Sequence, residues 1–230
     1  MPRDFVVGVD LGQQHDYTAV AVLERTARPS GPGGDLEGHY GVAHLERFRR
    51  VAYPAVIERV AAVLRETARA GTGEDAQRYR VPPAIALVVD KTGVGAGVTD
   101  HMRLAGRDRD VGRVEAGVAV NRAEHGWTVP KIDLATGVQL LLQTGRLRFA
   151  AGLPDLDVLT RELSNFRVRI GLTGRVSFAA GEEWRTGEGH DDVLLSVALA
   201  AWYGEHRAGA PLRPASPDLR RYFTGAGDYG

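Results

Sequence analysis

The stretch FVVGVDLG at residues 5–12 decides the fold. It is a short apolar run rich in valine that ends in Asp10-Leu-Gly, which predicts a buried strand stopping at a glycine turn. The alternating residues from Tyr17 to Leu23 predict a second strand. Beyond a glycine-rich loop at residues 30–35, His39 to Phe48 predict a third. Three consecutive strands joined in this way form an antiparallel meander.

Helices and strands alternate through the rest of the chain. The apolar spacing from Pro54 to Ala70 predicts an amphipathic helix, and the almost wholly apolar run from Ala84 to Asp90 predicts a strand covered on both faces. The elements predicted after it are a helix from Gly93 through Met102, a strand from Val111 to Val120, a helix from Asp133 to Thr144, an edge strand from Leu147 to Phe149, a helix from Asp155 to Phe166 and a helix from Asp191 to Glu205. This order predicts an α/β fold, with a mixed central sheet whose first three strands are antiparallel and which helices flank.

The composition is that of a soluble globular protein. Of 230 residues, 43% are hydrophobic and 25% charged, which is enough apolar material for one core. Basic and acidic residues number 29 each, so no global positive field attracts the chain to DNA. A local basic face or ordinary solvated surface can explain the arginine clusters, which are Arg47, Arg49 and Arg50; Arg103, Arg107, Arg109 and Arg113; and Arg161, Arg167 and Arg169.

What the sequence lacks excludes several classes of protein. Because there is no cysteine, disulfides, thiolate zinc sites and cysteine nucleophiles are all excluded. No secretory signal occurs at the amino terminus, and no apolar stretch approaches the length of a membrane span. We therefore expect a cytoplasmic protein with no membrane partner, in which residues 1–207 form one domain and the proline- and glycine-rich residues 208–230 form a flexible tail.

Acidic residues end two predicted strands and begin the last helix. Asp10 and Asp90 stand at the strand ends, and Asp191 and Asp192 open the helix. Because adjacent strand ends are where α/β sheets form their sites, we expect these carboxylates to meet. Clustered carboxylates repel one another unless cations neutralise them, and such oxygen ligands suit Mg²⁺ or Mn²⁺. The predicted site therefore binds two metal ions of the kind that promote phosphodiester cleavage.

Each acid also has a purely structural interpretation. Asp10 can shape a turn, Asp90 can cap the glycine-rich turn that follows it, and the pair Asp191-Asp192 can cap a helix. The coincidence of all three positions favours the metal site.

Two further residues allow more than one interpretation, and a third has a structural one. Lys131 can reach a phosphate or lie on the surface, and His190 can position water or phosphate, cap the helix or be solvated. Asp16 is expected to brace the turn between the first two strands.

Several stretches together carry a wider pattern. They are VGVDLGQQHDYTAVAVLE from Val7, LVVDKTGVG from Leu87, VPKIDL from Val129 with GRLRF from Gly145, REL from Arg161 and GHDDVLLSVALA from Gly189. In these residues the chain resembles the nuclease domain of the large terminase subunit of tailed phages, a branch of the ribonuclease H-like superfamily. The resemblance extends to about Tyr203, and its more specific parts are the His-Asp-Asp helix and the Asp-x-x-Gly-x-Gly segment.

The resemblance implies a metal-dependent endonuclease that cuts double-stranded DNA during genome packaging, with little sequence preference and with two Mg²⁺ or Mn²⁺ ions. By motif, Asp10, Asp90 and Asp192 hold metal. Asp191 is a second ligand or helper, although either aspartate of the pair can be the principal ligand. Asp192 is preferred because its spacing to Ser196 places it on the helix face toward the sheet.

The resemblance also implies partners. These are a packaging ATPase, the small terminase subunit and the portal, acting in the host cytoplasm. The sequence has no G-x-x-x-x-G-K-[ST] phosphate loop, so we do not expect this chain alone to translocate DNA.

Three other functions remain open. A Holliday-junction resolvase-like nuclease shares the fold and the carboxylate chemistry but needs a dimer. An actin-like ATPase or sugar kinase would explain Asp10-Leu-Gly but gives the His-Asp-Asp helix no role. A non-catalytic packaging scaffold is disfavoured because all the expected acids are present.

Overall fold

The computed structural model describes residues 4–12, 16–31, 34–70, 84–90, 92, 110–116, 121–123, 126–170, 176–180 and 191–206. The strands in these residues are β1 (Asp4–Asp10), β2 (Tyr17–Pro29), β3 (Leu36–Arg49), β4 (Ala84–Asp90), β5 (Asp110–Ala116), β6 (Asn121–Ala123), β7 (Gly126–Val129), β8 (Leu147–Phe149), β9 (Phe166–Ile170) and β10 (Val176–Ala180). The helices are α1 (Tyr53–Ala70), α2 (Lys131–Gln143), α3 (Leu156–Asn165) and α4 (Asp192–His206).

Eight of the described strands form one mixed sheet in the order β6-β7-β5-β4-β1-β2-β3-β8, and β9 and β10 pair as a separate hairpin. β1, β2 and β3 form an antiparallel meander, whereas β4 lies parallel to β1 on its other side and β5 lies parallel to β4. The predicted α/β class, with its antiparallel first three strands, is confirmed. Among the described helices, none combines the length and the apolar character that crossing a bilayer requires.

The element boundaries differ from the prediction in long and short elements. β2 continues to Pro29 beyond the predicted end at Leu23, and β3 begins at Leu36 rather than His39. β6 and β7 were not predicted, because three or four residues are too few to show an alternating pattern. The helix predicted to reach Phe166 ends at Asn165, and Phe166 begins β9. The helix predicted from Gly93 through Met102 and the tail predicted at residues 208–230 lie outside the described residues.

Helices cover the two faces of the central strands. On β1, the alternate residues from Phe5 to Val9 belong to the cluster that includes α1, whereas Val6 belongs to the cluster that includes α4. On β4, the even-numbered residues Ala86 and Val88 join the α4 cluster in the same way. α4 is buried all round from Asp192 to Gly204, as is expected of a helix packed in the core.

Gly8 allows α4 to lie directly on β1. A Cβ atom added at Gly8 would overlap the carbonyl oxygen of Ser196 and lie 3.0 Å from the backbone nitrogen of Ala200. Two backbone groups of α4 thus occupy the space of a side chain, and neither can move without displacing the helix. The contact fixes the distance of α4 from the sheet.

We expect Gly8→Ala to destabilise the protein by about 1–3 kcal/mol or more, because the added methyl group overpacks the core against backbone atoms. The matched control is Gly137→Ala in α2, where an added Cβ meets nothing within 4 Å. There the substitution should stabilise the protein by roughly 0.5–1 kcal/mol, since glycine is unfavourable within a helix. Urea denaturation measures both. Equal unfolding free energies for the two variants would show that α4 does not need Gly8.

Candidate functional site

Asp10 and Asp90 end neighbouring parallel strands at the same end of the sheet. The register places Val9 opposite Val89, and each aspartate is the next residue of its strand. Adjacent strands lie roughly 4.8 Å apart, and residues two apart share a face. Gly8 and Val88 lie on the face of the sheet that α4 covers. Asp10 and Asp90, two residues further along their strands, therefore lie on the same face. The prediction that these two acids lie on neighbouring strands is confirmed.

Asp192 approaches the same place from the start of α4. Asp192 is only 8% exposed. Ser196, one turn later on the same face of α4, is completely buried, and its carbonyl oxygen lies against Gly8 of β1. Asp191 precedes the helix, is partly exposed and accepts the N–H of Leu195 on its carbonyl oxygen at 2.8 Å. The position expected for Asp192, on the face toward the sheet, is therefore observed, and Asp191 lies at its rim.

Three other aspartates lie close enough to Asp10 for their charges to act on it. Burial raises the pKa of Asp10 well above its ordinary value, and the negative charges of Asp90, Asp192 and Asp191 raise it further, in that order. Lys131 opposes them. Carboxylates from the ends of two strands and the start of one helix thus act electrostatically on a single group.

Asp192 experiences a similar environment. Its pKa is raised to about 7, first by burial and then by the charges of Asp191 and Asp16, against the lowering effect of Arg47 and Lys131. Asp16 is exposed at the start of β2, so its influence on Asp192 was not foreseen from the sequence. Close to Asp16, the N–H of Gly12 donates a hydrogen bond to Oγ1 of Thr18 at 3.1 Å.

Asp90 also has a local structural contact. Its Oδ1 atom accepts the N–H of Thr92 at 2.8 Å, which braces the turn after β4. Asp90 therefore makes this local hydrogen bond and also acts electrostatically on Asp10, whereas the glycine-rich segment that follows lies outside the described residues.

Lys131 lies at the rim of the cluster. Lys131 is the first residue of α2, and its Nζ atom is 3.9 Å from Oδ2 of Asp191, with 36% of the side chain exposed. This position at the rim allows Lys131 both to offset the carboxylates and to face solvent. His190 lies outside the described residues.

A supporting contact, not predicted from the sequence, holds the first turn of α4. Glu162 of α3 is 7% exposed, and its Oε2 atom accepts the N–H of Leu194 at 2.7 Å. Arg47 of β3 lies 4.0 Å from the other Glu162 oxygen and 3.8 Å from Asp155. Glu162 thus supplies the helix cap from a distant segment. Such a role depends on tertiary contact, which the sequence does not display. The sequence drew attention to Glu162 only as the middle residue of the REL stretch.

The burial of Glu162 among acids has an electrostatic effect. Its pKa is raised to about 8 by burial and by the charges of Asp192 and Asp191, although the Leu194 hydrogen bond and Arg47 lower it. The start of α4 therefore concentrates more negative charge than its cationic neighbours balance.

The donor atoms of the cluster fit a hard divalent cation in part. They are all carboxylate oxygens, and their mutual repulsion is of the kind that a divalent cation relieves. As the described side chains stand, however, no three acidic or histidine groups lie close enough together to hold an ion. The chemistry and the charge thus fit, whereas the described side chains do not form a closed coordination sphere.

The fold is similar to that of viral terminase nucleases. The chain matches no protein-family description and no curated protein. The large terminase nuclease of thermophilic phage G20c with bound magnesium superposes with a TM-score of 0.56 and 22% identity, covering 87% of this chain and 81% of that one. The nuclease domain of Thermus phage P74-26 gives 0.55 and 20%, covering 91% and 84%. A mutant nuclease domain of the large terminase subunit of bacterial virus Sf6, with manganese, gives 0.54 and 10%, covering 86% and 88%. This chain thus has the ribonuclease H-like fold of these nuclease domains.

In the metal-free protein, we expect the Asp192 carboxyl to make stability fall as pH rises from 5 to 8. The pKa of Asp192 is raised in the folded state, so the folded protein keeps a proton that the unfolded chain loses near pH 4. The free energy of unfolding therefore falls as pH rises between these two pKa values, and the loss ends at about pH 7. The effect is on the order of 1 kcal/mol per pH unit. Urea denaturation in EDTA should show that wild type loses more stability over this range than Asp192→Asn. The difference between the two proteins cancels unrelated groups such as His39, whose pKa is lowered. Parallel pH profiles would contradict the expectation.

Proposed function

We propose that this chain is a metal-dependent endonuclease that cuts double-stranded DNA with little sequence specificity, as in the packaging of a viral genome. The observation that carries the proposal is the convergence of Asp10, Asp90, Asp191 and Asp192 at one end of a sheet with the fold of terminase nucleases. Magnesium in one of the similar structures and manganese in another support the metal dependence.

In this proposal Asp10, Asp90 and Asp192 hold two Mg²⁺ or Mn²⁺ ions, with Asp191 as a further ligand or helper. Bound ions of this kind supply an activated water and stabilise the leaving oxygen of the phosphodiester. The raised pKa values of Asp10 and Asp192 show that their negative charges are unfavourable in the metal-free protein, which favours the uptake of cations.

The other residues of the site orient these carboxylates and contact DNA. Lys131 stands at the rim beside Asp191, where its ammonium group can meet a DNA phosphate. Glu162 holds the first turn of α4 and so fixes the backbone from which Asp192 extends. In this proposal Lys131 contributes positive charge, and Glu162 positions Asp192.

The zero net charge of the chain bears on its partners. Without a global positive field, the domain binds DNA weakly by itself, so a partner has to retain the DNA near the site. We propose that a packaging ATPase, the small terminase subunit and the portal are these partners, and that the assembly works in the host cytoplasm.

We expect the purified protein to nick or linearise supercoiled plasmid in Mn²⁺ or Mg²⁺, and EDTA to abolish the reaction because the carboxylates act through the ions. Gel electrophoresis of the products over time measures it. A parallel reaction on a four-way junction tests the resolvase alternative. Cleavage that persists in EDTA would exclude the metal-dependent mechanism, and a strong preference for the junction would favour a resolvase.

Two variants separate the chemical role of Asp90 from its role in the turn. Asp90→Asn removes a charge but keeps an oxygen for the N–H of Thr92, so we expect cleavage to stop while stability stays the same or rises slightly as repulsion on Asp10 is relieved. Asp90→Ala also removes the turn contact and should lose about 1 kcal/mol of stability. Plasmid cleavage and urea denaturation are measured on the same preparations. An active Asp90→Asn would remove Asp90 from the proposed site.

A further inference from the structure

A groove of about 360 Å³ lies beside the acidic cluster at the same end of the sheet. One wall is formed by Gly12, Asp16 and Thr18 around the start of β2, and the other by residues 48–54, where β3 leads into α1. Gly12 stands two positions after Asp10, and the charge of Asp16 acts on Asp192, so the groove begins near the acids although its Phe48 and Tyr53 pack on the α1 side of the sheet.

Two arginines give this groove its positive charge. Arg49 and Arg50 both line it and are exposed, and within the described part of the chain neither forms an ion pair with a carboxylate. The guanidinium of Arg49 lies 5.1 Å from the centre of the Tyr17 ring, a contact that restricts its movement. Among the described residues that line the groove, Asp16 is the one acidic residue. The arginines therefore outnumber the acid.

The backbone of Arg50 provides a separate indication. Its φ angle is 60°, in the left-handed region that glycine adopts easily and that a long side chain adopts at a cost. Strained positions of this kind occur where function requires a particular side chain. Glycine would suit the turn between β3 and α1 better, so an arginine at this position supports the hypothesis that its guanidinium has a function.

We propose that this groove binds the DNA backbone beside the cleavage site, with Arg49 and Arg50 contacting phosphates. The inference rests on the proposed nuclease function and adds the surface along which the substrate lies. Phosphates attract guanidinium groups and are repelled by Asp16, so the DNA backbone follows the arginine wall of the groove. This local charge explains how a chain with zero net charge can bind a polyanion.

The variant Arg50→Gly separates binding from folding. Because it removes the guanidinium and relieves the backbone strain together, we expect the melting temperature to rise by a few degrees. The affinity for a fluorescent DNA duplex, measured by anisotropy in EDTA, should fall several-fold. The slope of log affinity against log salt concentration should become shallower by about 1, as expected for one lost phosphate contact. A purely structural arginine would leave this slope unchanged.

Arg49→Gln provides a second loss of charge in the groove and should show the same change in slope without altering the Arg50 turn. The matched control is Arg28→Gln, an exposed arginine at the opposite end of β2, which should bind DNA with the wild-type slope. Plasmid cleavage in Mn²⁺ is measured for every variant, and the two groove variants should show a raised KM with little change in kcat.

The possible outcomes separate this inference from the proposed function. If wild type cleaves DNA and both groove variants keep the affinity and salt slope of Arg28→Gln, the groove is not a DNA site and the nuclease proposal remains. If wild type cleaves no DNA in Mn²⁺ or Mg²⁺, the nuclease proposal fails, and the groove proposal fails with it. Loss of affinity in Arg50→Gly and Arg49→Gln alone, with cleavage by wild type, supports both.

Discussion

The contact of α4 with β1 at Gly8 determines where the acids meet. Because residue 8 has no side chain, the backbone of α4 reaches the sheet, and its first turn comes to the ends of β1 and β4. Asp192 is buried there, beside the face on which Asp10 and Asp90 lie. A larger side chain at this single position would separate the helix from the strands, and with it one part of the cluster from the other.

The cluster is a compromise between stability and chemistry. Buried carboxylates that repel one another oppose folding, and their cationic neighbours Lys131 and Arg47 compensate only in part. The repulsion among these carboxylates would displace the start of α4. The hydrogen bond from the N–H of Leu194 to Glu162 holds it in place. In the proposed function, a bound divalent cation would relieve this repulsion.

The sequence predicted the parts of this structure that depend on local patterns. Apolar runs ended by aspartate located the ends of β1 and β4, and helical spacing placed Asp192 rather than Asp191 against the sheet. It did not predict the influence of Asp16 on Asp192 or the strained backbone of Arg50. These features arise from contacts between segments distant in the chain or from turn geometry, which leave no periodic pattern.

The contribution of Glu162 to α4 has a consequence for how the protein is made. Asp10 and Asp90 are synthesised before the cap on α3 and the helix that it holds, which come from the last part of the described chain. On the ribosome the strands therefore emerge with only Asp10 and Asp90 of the four aspartates. The surface around Gly8 is not covered by α4 until that helix has been synthesised. The complete acidic cluster forms only after synthesis has passed residue 192 and α4 has docked. A nascent or truncated chain is thus kept from carrying the full proposed cutting site.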